Sequence, residues 1–120
     1  MRAAFLEEET NGVIERWSGD VAVLELKGPL TYVAGTRLAE WMQGASRDKV
    51  LLNLAQVSYL DSAGLGAVID AYGQTTRRGG TLKFLHLTPR TVHLFEITGL
   101  LRIFETFESE PAAVASFARS

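Results

Sequence analysis

An aspartate and a serine, Asp61 and Ser62, stand ahead of Ala63-Gly64-Leu65-Gly66, between an apolar run and a segment of helical period. Two chemistries are open to that pair. Asp and Ser are ordinary N-caps, their side-chain oxygens accepting from free backbone N–H groups at a helix start. A serine in that position is also a hydroxyl to which phosphate can be attached. The added phosphate would sit among unpaired N–H groups at the positive end of the helix dipole, so the domain could carry it without unfolding. Asp61 would partly oppose it by like-charge repulsion, and the new charge, roughly −1.5 to −2, would disrupt a partner surface docked on the loop. On spacing alone the cap reading stands ahead. Two glycines in the first helical turn, Gly64 and Gly66, cost about 1 kcal/mol each relative to alanine. The site therefore requires a bare backbone, either for a closely approaching partner or for tight packing of the helix on a sheet.

Other reactive residues form no catalytic set. His86 reads as a strand-end residue and His93 as an exposed helix residue, neither beside a nucleophile or acid. Asp70 lies two turns beyond Ser62 and is not paired with Asp61 for carboxylate chemistry. Gly79-Gly80 lacks the lysine and spacing of a phosphate-binding loop. The 120 residues contain no cysteine, which excludes disulfides and cysteine-ligated zinc, and two histidines make no histidine-rich metal site; no metal or cofactor is expected. The net charge of −2 gives no basic field for nucleic acid. Glu7-Glu8-Glu9 interrupts the apolar start as a signal sequence and reads as a solvated tail. No apolar run approaches the ~20 residues needed to span a bilayer, so no direct membrane insertion is expected and the cytoplasm is the expected location.

The elements that position Ser62 follow from period and punctuation. Residues 1–11 read as an edge strand or tail, ended by the Asn11-Gly12 turn. Val13 to Trp17 and Val21 to Lys27 are strands joined at Ser18-Gly19-Asp20, the second half-buried. After Gly28-Pro29, Ala34, Leu38, Trp41, Met42 and Ala45 share one helical face over Tyr32 to Gly44, with Thr31 as its cap. Val50 to Leu54 is a strand buried on both faces. A helix from Ser62 to Arg77 has Leu65, Val68, Ile69 and Tyr72 as its stripe. Thr81 to Leu87 is a strand, Thr88 caps a helix from Pro89 to Thr98, and Leu101 to Phe104 is a last short strand. Ser109 caps a C-terminal helix with Val114, Phe117 and Ala118 on one face. Trp17 and Trp41 are expected in the core or at its edge. The order predicts one α/β domain: a single mixed, mostly parallel β-sheet with an N-terminal antiparallel hairpin, packed against about four helices.

Four ordered segments resemble the STAS domain family, specifically the stand-alone bacterial anti-sigma factor antagonists. They are Gly28-Pro29-Leu30-Thr31; Val50 to Leu54 leading to Leu60-Asp61-Ser62-Ala63-Gly64-Leu65-Gly66; Arg78-Gly79-Gly80; and Thr88-Pro89 followed by Phe95-Glu96-Ile97-Thr98-Gly99-Leu100. The resemblance runs over residues 12 to 118, which implies one STAS domain at 12–120 and an extension at 1–11. It implies a non-enzymatic protein that binds an anti-sigma factor serine kinase of the histidine-kinase-like ATPase type and so frees a sigma factor. The kinase phosphorylates the serine after the aspartate, here Ser62, and a serine phosphatase restores the binding form. Asp61, Gly64 and Leu65 carry over as contact surface, with Thr31 and Tyr32 on the loop beside it. Many members have aspartate in place of Thr31, and some have a second serine in place of Ala63. Here one hydroxyl remains next to Asp61.

Two other readings compete. Similar domains are unphosphorylated regulatory subunits of lipid-transport ABC complexes or parts of stress-sensing assemblies; neighbouring permease genes would favour that. A flavodoxin-like enzyme or nucleotide-binding module would reveal itself by turnover or tight nucleotide binding.

Overall fold

The computed structural model describes residues 13–44 and 48–119. The expectations for residues 1–11, the Asn11-Gly12 turn and Ala45 lie outside the described residues. Strands β1 (Val13–Ser18) and β2 (Val21–Lys27) are followed by α1 (Tyr32–Gly44), β3 (Lys49–Gln56), α2 (Ser62–Arg77), β4 (Thr81–Leu85) and α3 (Pro89–Ile97). A 3-10 turn (Leu100–Arg102), β5 (Thr106–Phe107), α4 (Glu110–Ser116) and a 3-10 turn at Phe117–Arg119 complete the order. The five strands lie in sequence order in one sheet. Only β1–β2 is antiparallel; the other pairs are parallel. The expected α/β architecture is therefore present, hairpin included.

The hairpin closes at Gly19, whose φ of +61° suits the tight two-residue connection. Across the sheet, Leu24 lies opposite Leu52 and Leu52 opposite Phe84, a continuous apolar row. On that face Leu38 and Met42 of α1, Val68 and Ala71 of α2 and Phe95 of α3 complete the main core. Phe84 stacks on Phe104 at 4.5 Å and meets Phe95 edge-on at 5.7 Å. The other face holds Val21, Val23, Leu51 and Leu85 under Ala113 and Phe117. Alternating side chains of β2 thus find apolar cover on both sides, so Val21 to Leu24 are fully buried where a half-buried strand was expected.

Five other expectations are corrected. Leu101 to Phe104 is no strand. Gly99, at φ +78°, turns the chain into the 3-10 segment, and the Phe104 N–H donates to the Leu100 carbonyl, which brings both side chains into the core while Ile103 points out. Sheet pairing is taken up instead by Thr106 and Phe107, opposite Phe84 and Leu85. β4 stops at Leu85 because His86 adopts φ +59°, off the extended path. Of the expected α2 stripe, Leu65, Val68 and Tyr72 do pack on the core, but Ile69 is 43% exposed and Gly64, Ala71 and Thr75 are the further buried positions. Trp17 lies 55% exposed, whereas Trp41 is half-buried with its indole N–H donating to Glu15 Oε1 at 3.0 Å. On the last helix Ala113, Ser116 and Phe117 are buried and Ala118 is exposed.

The second face is fastened by polar contacts between distant residues. Buried Lys83 donates to Ser116 Oγ at 2.8 Å and to its carbonyl at 3.2 Å, and pairs with Glu105 at 3.2 Å. Its ammonium lies 4.8 Å from the Phe117 ring centroid. Arg16 donates to both carboxylate oxygens of Glu110, one at 2.7 Å. The Arg16 hydrogen bond holds the Glu110 carboxyl below its ordinary value, against the smaller opposing effect of burial. The depressed value means that this contact contributes stability above the ordinary carboxylate range and loses it as pH falls through the folded-state value. Arg16 is 47% exposed, so the contribution is below about 1 kcal/mol. Urea denaturation at pH 7 should find Glu110→Gln slightly less stable than the parent; at pH 3 the difference should shrink towards zero.

Candidate functional site

β2 and β3 run parallel, so both their carboxyl ends deliver loops to one end of the sheet. The loops continue the pairing beyond the strands. The Gly28 N–H donates to the Gln56 carbonyl at 2.9 Å, Leu30 N–H to the Tyr59 carbonyl at 2.8 Å, and Asp61 N–H to the Leu30 carbonyl at 3.3 Å. Leu30 and Leu60 form a parallel bridge, with Leu30 1% exposed. The chain leaving Leu30 starts α1 and the chain leaving Leu60 starts α2, so the two helix starts are fixed side by side.

Asp61 is the cap of α2. Its backbone is extended (φ −93°, ψ −174°), and its Oδ1 accepts from the Gly64 N–H at 2.8 Å. The cap chemistry read from the sequence thus falls to the aspartate. Ser62 occupies the first helical position and is exposed. In that first turn the N–H groups of Ser62 and Ala63 have no carbonyl within the helix to bond. Asp61→Ala should cost about 1 kcal/mol of stability. Chemical denaturation would check this, with a midpoint shift and an unchanged slope as the expected result.

The two glycines have different surroundings. Gly64 is buried, and a Cβ there would lie 1.7 Å from the Leu30 carbonyl oxygen. Its bare backbone serves the close approach of α2 to the Leu30 loop. A Cβ on Gly66 would meet nothing within 4 Å. Gly35 of α1 faces Ala67 of α2, where an added Cβ would come 3.0 Å from the alanine methyl. The small residues let the helices cross closely and leave between them a groove of about 420 Å³. Tyr32, Thr36, Ala63, Gly66 and Asp70 are among its lining residues.

The structure brings Thr31, Tyr32, Asp61, Ser62 and Leu65 to one end of the molecule, with Gly64 beneath them. Tyr32 is 74% exposed and its neighbour Val33 65%. Thr31 and Leu65 are half-buried, and the Thr31 carbonyl accepts from the Gly35 N–H at 2.8 Å. Leu30 and Tyr59 are the structural residues that sequence reasoning did not single out. Leu30 is an ordinary apolar residue whose importance lies in its backbone, and only its place after Gly28-Pro29 hints at that. Tyr59 is an aromatic in a loop, 38% exposed, with the Arg90 guanidinium 5.4 Å from its ring centroid. Among the described residues no three His, Asp or Glu side chains come together as a metal site, and no helix is long and apolar enough to cross a membrane.

The chain and its fold have known counterparts. The family model described as STAS domain matches residues 13–113. An anti-sigma-B factor antagonist of Bacillus subtilis is 42% identical over 52 residues, a match covering 43% of this chain and 48% of that protein. The chain thus spans about half the length of this curated relative. An anti-sigma F factor antagonist of Paenibacillus polymyxa is 24% identical over 98 residues, covering 78% of this chain and 84% of the other. Among solved structures, the Bacillus protein SpoIIAA in its phosphorylated form superposes with a TM-score of 0.66 at 18% identity, over 87% of this chain and 97% of that one.

Proposed function

The chain belongs to the STAS domain family, and from that premise we propose that it is an anti-sigma factor antagonist switched off by phosphorylation at Ser62. Its partner is an anti-sigma factor that is also a serine kinase; binding it frees a sigma factor. Residues 12–120 act as a single domain, residues 1–11 as an extension of it. The protein works by occupying a surface, in the cytoplasm, and a serine phosphatase returns it to the binding form.

The observation that carries this reading is the setting of Ser62. Its hydroxyl is exposed at the first position of a capped helix, while Asp61 and Gly64 tie that helix start to a rigid loop platform. A kinase can reach such a hydroxyl without opening the fold. A phosphate there meets a helix N-terminus, so charge is added at little cost to folding. Exposed Tyr32 and Val33 provide apolar surface for the partner, and the groove between α1 and α2 adds a mixed lining that includes Thr36 and Asp70. Names of relatives support the regulatory role, and SpoIIAA is described in both unphosphorylated and phosphorylated forms.

Affinity purification from the native cell, followed by phosphosite mapping, tests partner and site together. A co-purifying ATPase-type kinase and one phosphate on Ser62 are expected. A phosphate on another residue, or permease and transport-ATPase subunits in place of a kinase, would overturn the reading.

A further inference from the structure

A second hollow, of about 200 Å³, lies between the Tyr59 loop and α3. Leu60, Leu94, Ile97 and the Tyr59 ring give it apolar walls, and Arg90 and His93 stand among them. On α3, positions 90, 93, 94 and 97 lie along one helical stripe. Ile97 is 66% exposed, so the walls are open to solvent. Among the described residues that line the hollow there is no carboxylate.

Arg90 is its polar handle. The guanidinium carbon lies 5.4 Å from the Tyr59 ring centroid, a cation–π contact that holds the charge at the hollow. Among the described residues Arg90 forms no ion pair. An aromatic ring takes the face of a guanidinium, whereas the N–H donors lie in its plane, where one carboxylate can accept from two of them at once. An apolar cavity of roughly 150 Å³ accommodates benzene, so this hollow has room for one ring of that size.

We propose that the hollow is a binding site for a small monocarboxylate with an apolar body the size of a phenyl ring. The body rests on Leu60, Leu94 and Ile97, and the carboxylate pairs with Arg90. Apolar burial supplies attraction, and the lone cation without a carboxylate partner selects an anion over a neutral ring of the same shape. The ligand sits against the segment that presents Ser62: Leu60 bridges Leu30, and Asp61, next in sequence, caps α2. Binding there does not depend on which partner meets Ser62.

Titration of the full chain with benzoate, followed through its backbone amide NMR signals, tests the site, with benzamide as the neutral control. Saturable shifts are expected at Leu60 and along Arg90 to Ile97, with half-saturation at roughly millimolar benzoate, the scale for so small a ligand. Benzamide should bind roughly five-fold more weakly, the scale of one exposed ion pair. Arg90 is exposed, so Arg90→Gln leaves the core intact; that variant should bind benzoate and benzamide alike, both as weakly as the parent binds benzamide. Four results would overturn the proposal: no saturable shift, shifts confined to another surface, equal affinity of the parent for the two compounds, or shifts of the same amides with protein concentration alone, which would assign the hollow to a second copy.

Discussion

Gly64→Ala is expected to destabilise the fold by about 3 kcal/mol or more, the upper range for a side chain forced into a filled space. The added Cβ would lie 1.7 Å from the Leu30 carbonyl oxygen and 2.6 Å from its carbonyl carbon. Both are backbone atoms, so no rotamer change relieves the clash. Either α2 lifts from the loop platform or the Leu30 segment retreats. Retreat breaks the bond from Leu30 N–H to Tyr59 and the bond from Asp61 N–H to Leu30, each contributing about 1 kcal/mol. Lifting α2 draws Val68 and Ala71 out of the core. Gly66→Ala is the control, two residues along the same helix with open space around it. It should be neutral or stabilising by up to about 1 kcal/mol, because alanine favours helix. Urea denaturation of the two variants decides the matter. Equal effects would mean that the tight approach at Leu30 does not govern this glycine.

Ser62→Asp is expected to weaken partner binding by about a hundredfold or more, the scale of a misplaced charge in an interface. The same substitution should leave the melting temperature unchanged or slightly raised, since an acid in the first turn complements the helix dipole. Ser62→Ala should bind within a few-fold of the parent and accept no phosphate. Binding and folding thus respond differently to one position. Calorimetric titration beside thermal melts separates them; parallel loss of both would mark Ser62 as a structural residue.

The parts of this fold legible in the sequence are those set by local chemistry. Gly19, Pro29 and the caps Thr88 and Ser109 punctuate the chain within a residue or two of the observed ends. Val50 to Leu54, apolar except for Asn53, lies on a strand buried along that stretch. The Asp61-Ser62 pair could be set at a helix start from its neighbours alone. Division of labour within it could not, because whether aspartate or serine turns inward depends on where the Gly64 N–H points. The reason for Gly64 is also non-local, as its neighbour is the carbonyl of a residue 34 positions earlier. Lys83 looks like a surface residue until Glu105 and Ser116 are brought to it. Phe104 reads as a strand residue until Phe84 and Tyr72 supply an aromatic cluster. Thr31 stands half-buried beside the site, where its place after Gly28-Pro29-Leu30 could be read but its burial could not.

On the proposed reading, a phosphate on Ser62 ends partner binding while the fold persists. The most direct test of that reading is calorimetric titration of the co-purified kinase with the chain fully phosphorylated at Ser62, against the unmodified chain. Tight binding by the unmodified chain is expected, with no measurable heat from the phosphorylated one, whose phosphatase-treated product binds again. Equal affinity of the two forms would contradict it.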